Sequence, residues 1–261
     1  TRIQFEIHES FYGDKKTPTN VVDFETGTQV LDNKDSSYAS NRIDHRLTFS
    51  NYVVGESNQL AFSAAKRVSE SLGHYNPLFI YGSVGLGKTH LAHAIGVDIK
   101  DKYPDKTVLY ISSEKFTQQF IDSVKSNTRN DFIHFYQMVD VLLIDDVQFL
   151  SGKAGTQDVF FHIFNHLHQN GKQVILTSDK APVDMQDIEQ RLLSRFKWGL
   201  SAELQLPDFE TRISILQNKL FRDGVEMPEE IVEYIAKNIK SNVRELEGVI
   251  ISMIAQASFN R

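Results

Sequence analysis

The sequence contains no cysteine among its 261 residues, which excludes a disulfide framework and any metal site built from thiolates. No apolar run approaches the roughly 20 residues of a membrane-spanning helix, and no secretory signal opens the chain. These absences fit a reducing, intracellular compartment, and we expect a cytoplasmic protein. Because the chain begins at Thr1 rather than at methionine, we also expect it to be part of a longer protein.

The chain also lacks an excess of basic residues. Lysine and arginine number 28 against 34 aspartates and glutamates, so the formal net charge is −6. This balance argues against a protein that coats duplex DNA along its whole surface, although a local basic patch can still bind nucleic acid. Hydrophobic content of 41% and charged content of 24% are ordinary for a soluble globular protein of one large or two smaller domains.

Three regions differ in pattern. In residues 1–46, Ile3, Phe5 and Ile7 alternate with polar residues and predict one strand, and two turn-rich segments follow. We interpret this region as the tail of a preceding module and a linker. Residues 47–206 alternate apolar strands with helices, and residues 207–261 contain helical patterns only. The second region predicts an α/β nucleotide-binding domain and the third a small helical lid domain.

Residues 82–89, with the sequence GSVGLGKT, match the phosphate-loop pattern G-x-x-x-x-G-K-[ST] at every fixed position. Glycines let the backbone amides point at phosphate oxygens, Lys88 can reach the β- and γ-phosphates, and the Thr89 hydroxyl can bind Mg²⁺. An apolar strand at residues 78–81 precedes the loop, and a helix follows it. A chance glycine loop is the alternative, and these flanks argue against it.

Further apolar runs predict strands at residues 108–111, 141–144 and 174–177. One helix is predicted before the phosphate-loop strand, over residues 57–72. Two more lie between the later strands, one after a Ser113 cap and one over residues 156–169 with Gly171 as the stop. This alternation predicts a parallel, doubly wound sheet with helices on both faces. Three helices at residues 208–221, at residues 228–239 and from Asn242, with Glu245 in a capping box, complete the lid.

Acidic residues follow two of these strands. Asp145 can hold hydrated Mg²⁺ beside Thr89, and Asp146 can orient or deprotonate the attacking water. The run of residues 177–179, with Asp179 at its end, can sense the γ-phosphate at the same sheet edge. The alternatives are solvated acids at a strand end for the first pair and an ordinary polar turn for the second.

Arginines and histidines supply further candidates. Arg191 and Arg195 share a helical face by their spacing, so they can complete a neighbouring subunit's active site or form a solvated face. Arg244, at the start of the last helix, can reach back to the nucleotide or remain in solvent. Asp158, His162 and His166 are spaced for a metal site, but the adjacent apolar residues favour a solvated face.

Seven ordered blocks together resemble the AAA+ ATPases, and among them the bacterial chromosomal replication initiators. They cover the chain from about Leu47 to Ala257. The blocks are FSNYVVG (49–55), NPLFIYG (76–82), VGLGKTHL (84–91), LLIDDVQFL (142–150), LTSD (176–179), RFKWGL (195–200) and NVRELEG (242–248). The resemblance implies an AAA+ fold, with a parallel sheet flanked by helices and a three-helix lid.

The resemblance also implies site roles. Asp145 would bind Mg²⁺, Asp146 would activate water, and Asp179 would be the first sensor. Arg195 would be an arginine finger on the next subunit's ATP, with Arg191 in the same contact, and Arg244 would be the second sensor. The remaining ATP- or ADP-binding residues implied are Tyr52, Val53, Val54 and Asn58 around the adenine, and Gly82, Gly85, Gly87, Lys88, Thr89 and His90 around the phosphates.

The partners implied are other copies of the chain, in an ATP-dependent head-to-tail oligomer, and single-stranded origin DNA held by Ile121, Lys125 and Lys153. Gly155 stands where the family often has a further basic residue. Duplex-reading and helicase-contacting domains of the family are expected outside this chain, so duplex DNA would be bound through a separate C-terminal domain. A replicative helicase or its loader and acidic phospholipids are further partner classes.

The function expected is therefore a slow ATPase that acts as a nucleotide switch and assembles on origin DNA to promote strand opening. A helicase loader is the nearest alternative, because it shares this core, and residues 195–200 favour the initiator. A metabolic P-loop kinase is the third, and it would need an acceptor-substrate lid that the trailing helices do not suggest.

Overall fold

The computed structural model describes residues 43–259 of the chain. The predicted strand at Ile3, Phe5 and Ile7 and almost all of the predicted linker lie outside the described residues. Among the described helices, none combines the length and the apolar character needed to cross a membrane.

A five-stranded parallel sheet forms the centre of the fold. Its strands lie in the order β2-β3-β4-β1-β5. The strands are β1 (Leu78–Tyr81), β2 (Val108–Ser112), β3 (Val141–Asp145), β4 (Gln173–Ser178) and β5 (Leu200–Glu203). Because β3, β4 and β1 are neighbours, the residues that follow them come together at one edge of the sheet.

Side chains alternate between the two faces of this sheet, as strand geometry requires. On β3, Leu142 and Ile144 join one buried cluster, while Val141 and Leu143 join the other. Both faces are therefore covered by helices, and the predicted doubly wound α/β architecture is confirmed.

In the part of the chain that the structure describes, six α-helices flank the sheet and three follow it. The flanking helices are α1 (Gln59–Glu70), α2 (Lys88–Lys102), α3 (Ser113–Lys125), α4 (Arg129–Met138), α5 (Ala154–Gln169) and α6 (Gln190–Phe196). The lid helices are α7 (Phe209–Asp223), α8 (Glu229–Asn238) and α9 (Val243–Phe259). The predicted cap of α3 was wrong by one residue, because Ser112 accepts the amide of Lys115 at 3.3 Å while Ser113 is buried in the first turn.

The lid has its own apolar cluster, centred on Leu216, Val232 and Leu246. Asn242 caps α9 by accepting the amide of Glu245 at 2.9 Å, but the Glu245 carboxylate accepts from Ser241, so only half of the predicted capping box forms. The lid meets the sheet region where the Val243 amide donates to the Gly85 carbonyl at 3.0 Å. This contact places the start of α9 directly on the phosphate loop.

Candidate nucleotide site

The phosphate loop connects β1 to α2 through three glycines with positive φ. These are Gly82 (153°), Gly85 (77°) and Gly87 (94°). A Cβ on Gly85 would lie 2.8 Å from the Asn242 side chain, and one on Gly87 would lie 3.2 Å from the Tyr52 ring. Glycine is therefore required both for the backbone turn and for the close approach of neighbouring elements.

Lys88 is held in place at the bottom of this loop, with only 5% of its surface exposed. Its ammonium donates to the carbonyls of Gly82 at 2.8 Å and Ser83 at 2.9 Å. It also forms an ion pair with Asp179 at 2.6 Å. The lysine and the acidic residue after β4, which the sequence predicted at one edge, are in direct contact.

Asp145 is almost fully buried and accepts hydrogen bonds from three hydroxyl groups. Thr89 donates at 2.8 Å, Tyr110 at 2.7 Å, and Thr177 is the third donor. The threonine and the carboxylate predicted to share Mg²⁺ are therefore adjacent and present hard oxygen atoms, the donor set that this ion prefers. Sequence reasoning missed Tyr110, whose burial and whose bond to Asp145 raise the pKa of its own hydroxyl.

Asp146 follows with a left-handed backbone, φ 57° and ψ 52°, which is uncommon for a residue with a side chain. Its amide donates to the Thr177 hydroxyl at 2.9 Å, which fixes the turn. Burial and the neighbouring Asp145 raise the pKa of the Asp146 carboxyl. A carboxylate with a raised pKa is a stronger base than an ordinary aspartate.

Gln148 is a residue that sequence reasoning did not single out, although it lies inside a block quoted for the resemblance. Its amide nitrogen donates to Asp146 at 3.1 Å and to Asp179 at 3.0 Å, and its oxygen accepts the Asp179 amide at 3.2 Å. The bond to Asp146 opposes the rise in that carboxyl's pKa. Gln148 thus joins the acids that follow β3 and β4, and only side-chain geometry reveals it.

A cleft of about 490 Å³ lies between the phosphate loop and the lid. Asp146 and Asp179 line it from the sheet, and Arg244 lines it from α9. The lid also contributes Lys219 and Arg222 from α7, two basic residues that the sequence analysis missed. The predicted helix ended at residue 221, one position before Arg222; extended by that residue, a spacing of three places both side chains on one helical face.

A smaller pocket of about 70 Å³ adjoins the cleft, between the segment before α1, the start of α2, and the lid helices α7 and α9. Five of the predicted adenine and phosphate residues line it: Tyr52, Val53, Asn58, Gly87 and His90. Asn58 organises the segment, because its side chain accepts the Gly55 amide and donates to the Val53 carbonyl, both at 3.0 Å. Val54 is 43% exposed and does not line either cavity.

Tyr52 closes one side of this pocket. Its ring stacks on Phe62 with centroids 5.9 Å apart and meets His90 edge-on at 5.2 Å. Its buried hydroxyl has no hydrogen-bond partner among residues 43–259, and burial raises the pKa of this hydroxyl. An unpaired buried donor of this kind is costly, and a ligand atom could satisfy it.

Arg191 and Arg195 do not line the cleft of their own chain. Both lie on α6, and both guanidinium groups lie near the ring of Phe161 on α5. Arg191 binds Asp158 at 2.9 Å and also pairs with Glu189. Neither arginine therefore reaches the candidate nucleotide site of its own chain.

The predicted DNA residues lie on a separate surface. Ile121 is 39% exposed on α3, Lys125 ends that helix, and Lys153 precedes α5. The two helices meet here, since a Cβ on Gly155 would lie 3.7 Å from Phe120. The alternative metal site at Asp158, His162 and His166 is not formed, because no group of three potential ligands is clustered anywhere in residues 43–259.

Comparison with known proteins agrees with this geometry. The family described as the bacterial DnaA ATPase domain matches residues 43–203. A chromosomal replication initiator protein DnaA from Flavobacterium psychrophilum is 74% identical over 222 residues, which cover 84% of this chain and 46% of that protein. The chain thus spans about half the length of the curated relatives it matches.

Solved structures give the same result. Domain III of the Thermotoga maritima replication initiation protein DnaA is 46% identical with a TM-score of 0.82, covering 84% of this chain and 92% of that one. A replication initiator DnaA bound to AMPPCP and single-stranded DNA is 44% identical with a TM-score of 0.78, covering 83% and 67%. A DnaC helicase loader, 16% identical with a TM-score of 0.56 over 62% of this chain and 98% of that one, shares the fold alone. The chain belongs to the bacterial DnaA ATPase domain family.

Proposed function

We propose that the chain is the ATP-binding core of a replication initiator, which binds ATP with Mg²⁺ and hydrolyses it slowly. One observation carries this proposal above all: Lys88, Asp146 and the lid residue Arg244 converge on a single cleft at the carboxyl edge of the sheet. A polyphosphate in that cleft would meet backbone amides, the amino end of α2 and a lysine on one side. On the lid side of the cleft, the polyphosphate would meet the basic residues Lys219, Arg222 and Arg244.

The chemistry follows from the positions of the acids. Thr89 and Asp145 would hold Mg²⁺, which when bound neutralises charge on the phosphate oxygens. Asp146 would accept the proton of the attacking water, because its raised pKa favours that transfer. Gln148 would keep Asp146 and Asp179 at a fixed separation. Tyr52, Val53 and Asn58 would surround the adenine.

ATP would also join copies of the chain. Arg195 lies outside its own cleft, so its positive charge would reach the γ-phosphate of a neighbour in a head-to-tail contact, with Arg191 beside it. Such a heterologous contact propagates into an open filament. Conversion of ATP to ADP removes the bridging charge and would dissolve the assembly.

Single-stranded origin DNA would lie along the surface of Ile121, Lys125 and Lys153. This proposal rests on the exposure of Ile121, on the contact between α3 and the start of α5 beside it, and on the likeness to an initiator bound to single-stranded DNA. A lysine contributes charge to the phosphate backbone, and an apolar side chain contributes contact with sugar or base. Recognition of duplex sequence would require residues beyond those described.

Solution mass by light scattering, in ADP and in a non-hydrolysable ATP analogue, tests the switch. We expect growth in mass with the analogue only, and loss of that growth in Arg195→Ala. Arg67→Ala, which removes an exposed arginine on α1, is the matched control and should assemble normally. A monomer in both nucleotides, with nucleotide binding verified by titration, would contradict assembly through this chain.

Two alternatives give different outcomes. A metabolic kinase would transfer phosphate to a small acceptor and would not change mass with ATP. A helicase loader would assemble only with its helicase, and family membership argues against it. Hydrolysis should in every case be lost in Lys88→Ala, because that lysine is the buried cation of the phosphate loop.

A further inference from the structure

Arg195 lies in a cradle made by α5 and the turn after α6. Its Nε donates to the Asn165 side chain at 2.9 Å. Its guanidinium lies 4.7 Å from the Trp198 ring centroid and 5.8 Å from that of Phe161. Among residues 43–259, Arg195 forms no ion pair with a carboxylate. The side chain is therefore oriented by neutral groups that leave its charge uncompensated.

Arg191, one helical turn earlier, differs from Arg195 because its charge is paired with carboxylates. It pairs with Asp158 and Glu189, and its guanidinium lies 4.6 Å from the Phe161 ring. Two carboxylates neutralise its charge and hold its donors. Of the two arginines on this face, only Arg195 has a charge available for a phosphate from outside.

The aromatic wall of the cradle is anchored in the core. Trp198 is 57% exposed, but its ring packs on His168 with centroids 4.6 Å apart. His168 in turn stacks on the buried Phe164 at 6.0 Å and 15°. The rings of Phe164, His168 and Trp198 therefore form a continuous stack from the buried side of α5 to the guanidinium of Arg195. This stack restricts the Arg195 side chain, which would otherwise have many accessible rotamers.

We propose that Asn165 and Trp198 are positioning residues for the arginine finger. They hold Arg195 extended toward the neighbouring copy before that copy binds, which lowers the entropy lost when the γ-phosphate is contacted. This inference rests on the proposed function, in which Arg195 contacts a neighbour's ATP. The neighbouring copy would then meet an Arg195 guanidinium whose position is already set by the Asn165 side chain and the Trp198 ring.

Assembly with an ATP analogue measures the effect. We expect Asn165→Ala and Trp198→Ala each to raise the protein concentration at half-maximal assembly about tenfold, as the loss of one ordered arginine contact predicts. Tyr234→Ala, which removes an exposed aromatic residue on α8, is the control and should assemble normally. Trp198→Phe should restore most of the assembly because it keeps a ring face, whereas Trp198→Leu should not.

The single tryptophan supplies a second readout that does not depend on assembly. In the ADP-bound monomer, the near-ultraviolet circular dichroism of Trp198 should weaken in Arg195→Ala and in Asn165→Ala, because both loosen the stack. Unchanged spectra would overturn the proposed cradle. Equal assembly by Trp198→Leu and Trp198→Phe would also overturn it, since apolar contact with the neighbour would then explain the role of Trp198.

The test separates two kinds of failure. If the unchanged chain fails to assemble with the analogue, or Arg195→Ala assembles normally, the proposed switch itself is refuted, and this inference with it. If the chain and Arg195→Ala behave as proposed but both positioning variants assemble normally, only the cradle is refuted.

Discussion

Replacing Gln148 with alanine tests the network that joins the acids at the sheet edge. The change removes two hydrogen bonds donated to carboxylates, at 3.1 Å to Asp146 and 3.0 Å to Asp179. Such bonds contribute about 1.5–3 kcal/mol each when fully buried. Both acceptors are half-buried, so water replaces part of this energy, and we expect a loss of about 1–2 kcal/mol for the pair.

If that loss falls on the transition state, kcat for ATP hydrolysis should decrease about 5- to 30-fold, at 1.36 kcal/mol for each factor of ten. The affinity for ATP should change little, since Gln148 does not line the cleft. Gln118→Ala is a matched control, because Gln118 also donates to a carboxylate, that of Asp122, but on the exposed surface of α3. That variant should hydrolyse ATP normally.

The pH dependence gives a sharper test. The bond from Gln148 lowers the pKa of Asp146, and its removal therefore raises that pKa further. A general base must be ionised, so the acid limb of the kcat profile should move to higher pH in Gln148→Ala, at fixed Mg²⁺. If kcat in Gln148→Ala is lowered by the same factor at every pH, or if only KM changes, the proposed role of Gln148 is refuted.

Three further predictions concern other contacts. Tyr110→Phe removes a hydroxyl that donates to Asp145, the carboxylate proposed to bind Mg²⁺, so half-maximal hydrolysis should need about tenfold more Mg²⁺ in a metal titration. Arg244→Ala should lower kcat on the order of 100-fold while ADP affinity stays within about threefold, because its charge is expected at the γ-phosphate; normal turnover would contradict that role. Gly199→Ala places a Cβ 1.9 Å from the Pro77 carbonyl oxygen and should cost about 3 kcal/mol in denaturant unfolding, whereas Gly248→Ala, with open space around it, should cost nothing.

Much of the fold could be predicted from the sequence because the central strands are buried on both faces and read as continuous apolar runs. β5 was missed for the converse reason: it is an edge strand with the sequence LSAE, in which only Ala202 is buried. α4 was also missed, although the spacing of Phe132, Phe135 and Tyr136 fits a helix and two of these rings are buried in the core.

The candidate site was also predictable only in part. Lys88, Thr89 and Asp145 could be predicted because the loop pattern and the strand end fix their places in the chain. Gln148 and Tyr110 could not, because their roles arise from contacts between elements that are distant in sequence. The Tyr110 hydroxyl, for example, reaches Asp145 across 35 positions.

The lid gives the cleft its charge. Four basic side chains line the cleft against three acidic ones, and three of the four are lid residues: Lys219, Arg222 and Arg244. The chain as a whole carries a formal charge of −6, so this local balance runs against its composition. A polyphosphate in the cleft would therefore attract the lid, whose basic residues outnumber its one acidic residue there, and more strongly with each added phosphate charge. Among residues 43–259, the sheet side contributes only one lysine or arginine to the cleft, Lys88, and it is already paired with Asp179, so the uncompensated positive charge is on the lid side.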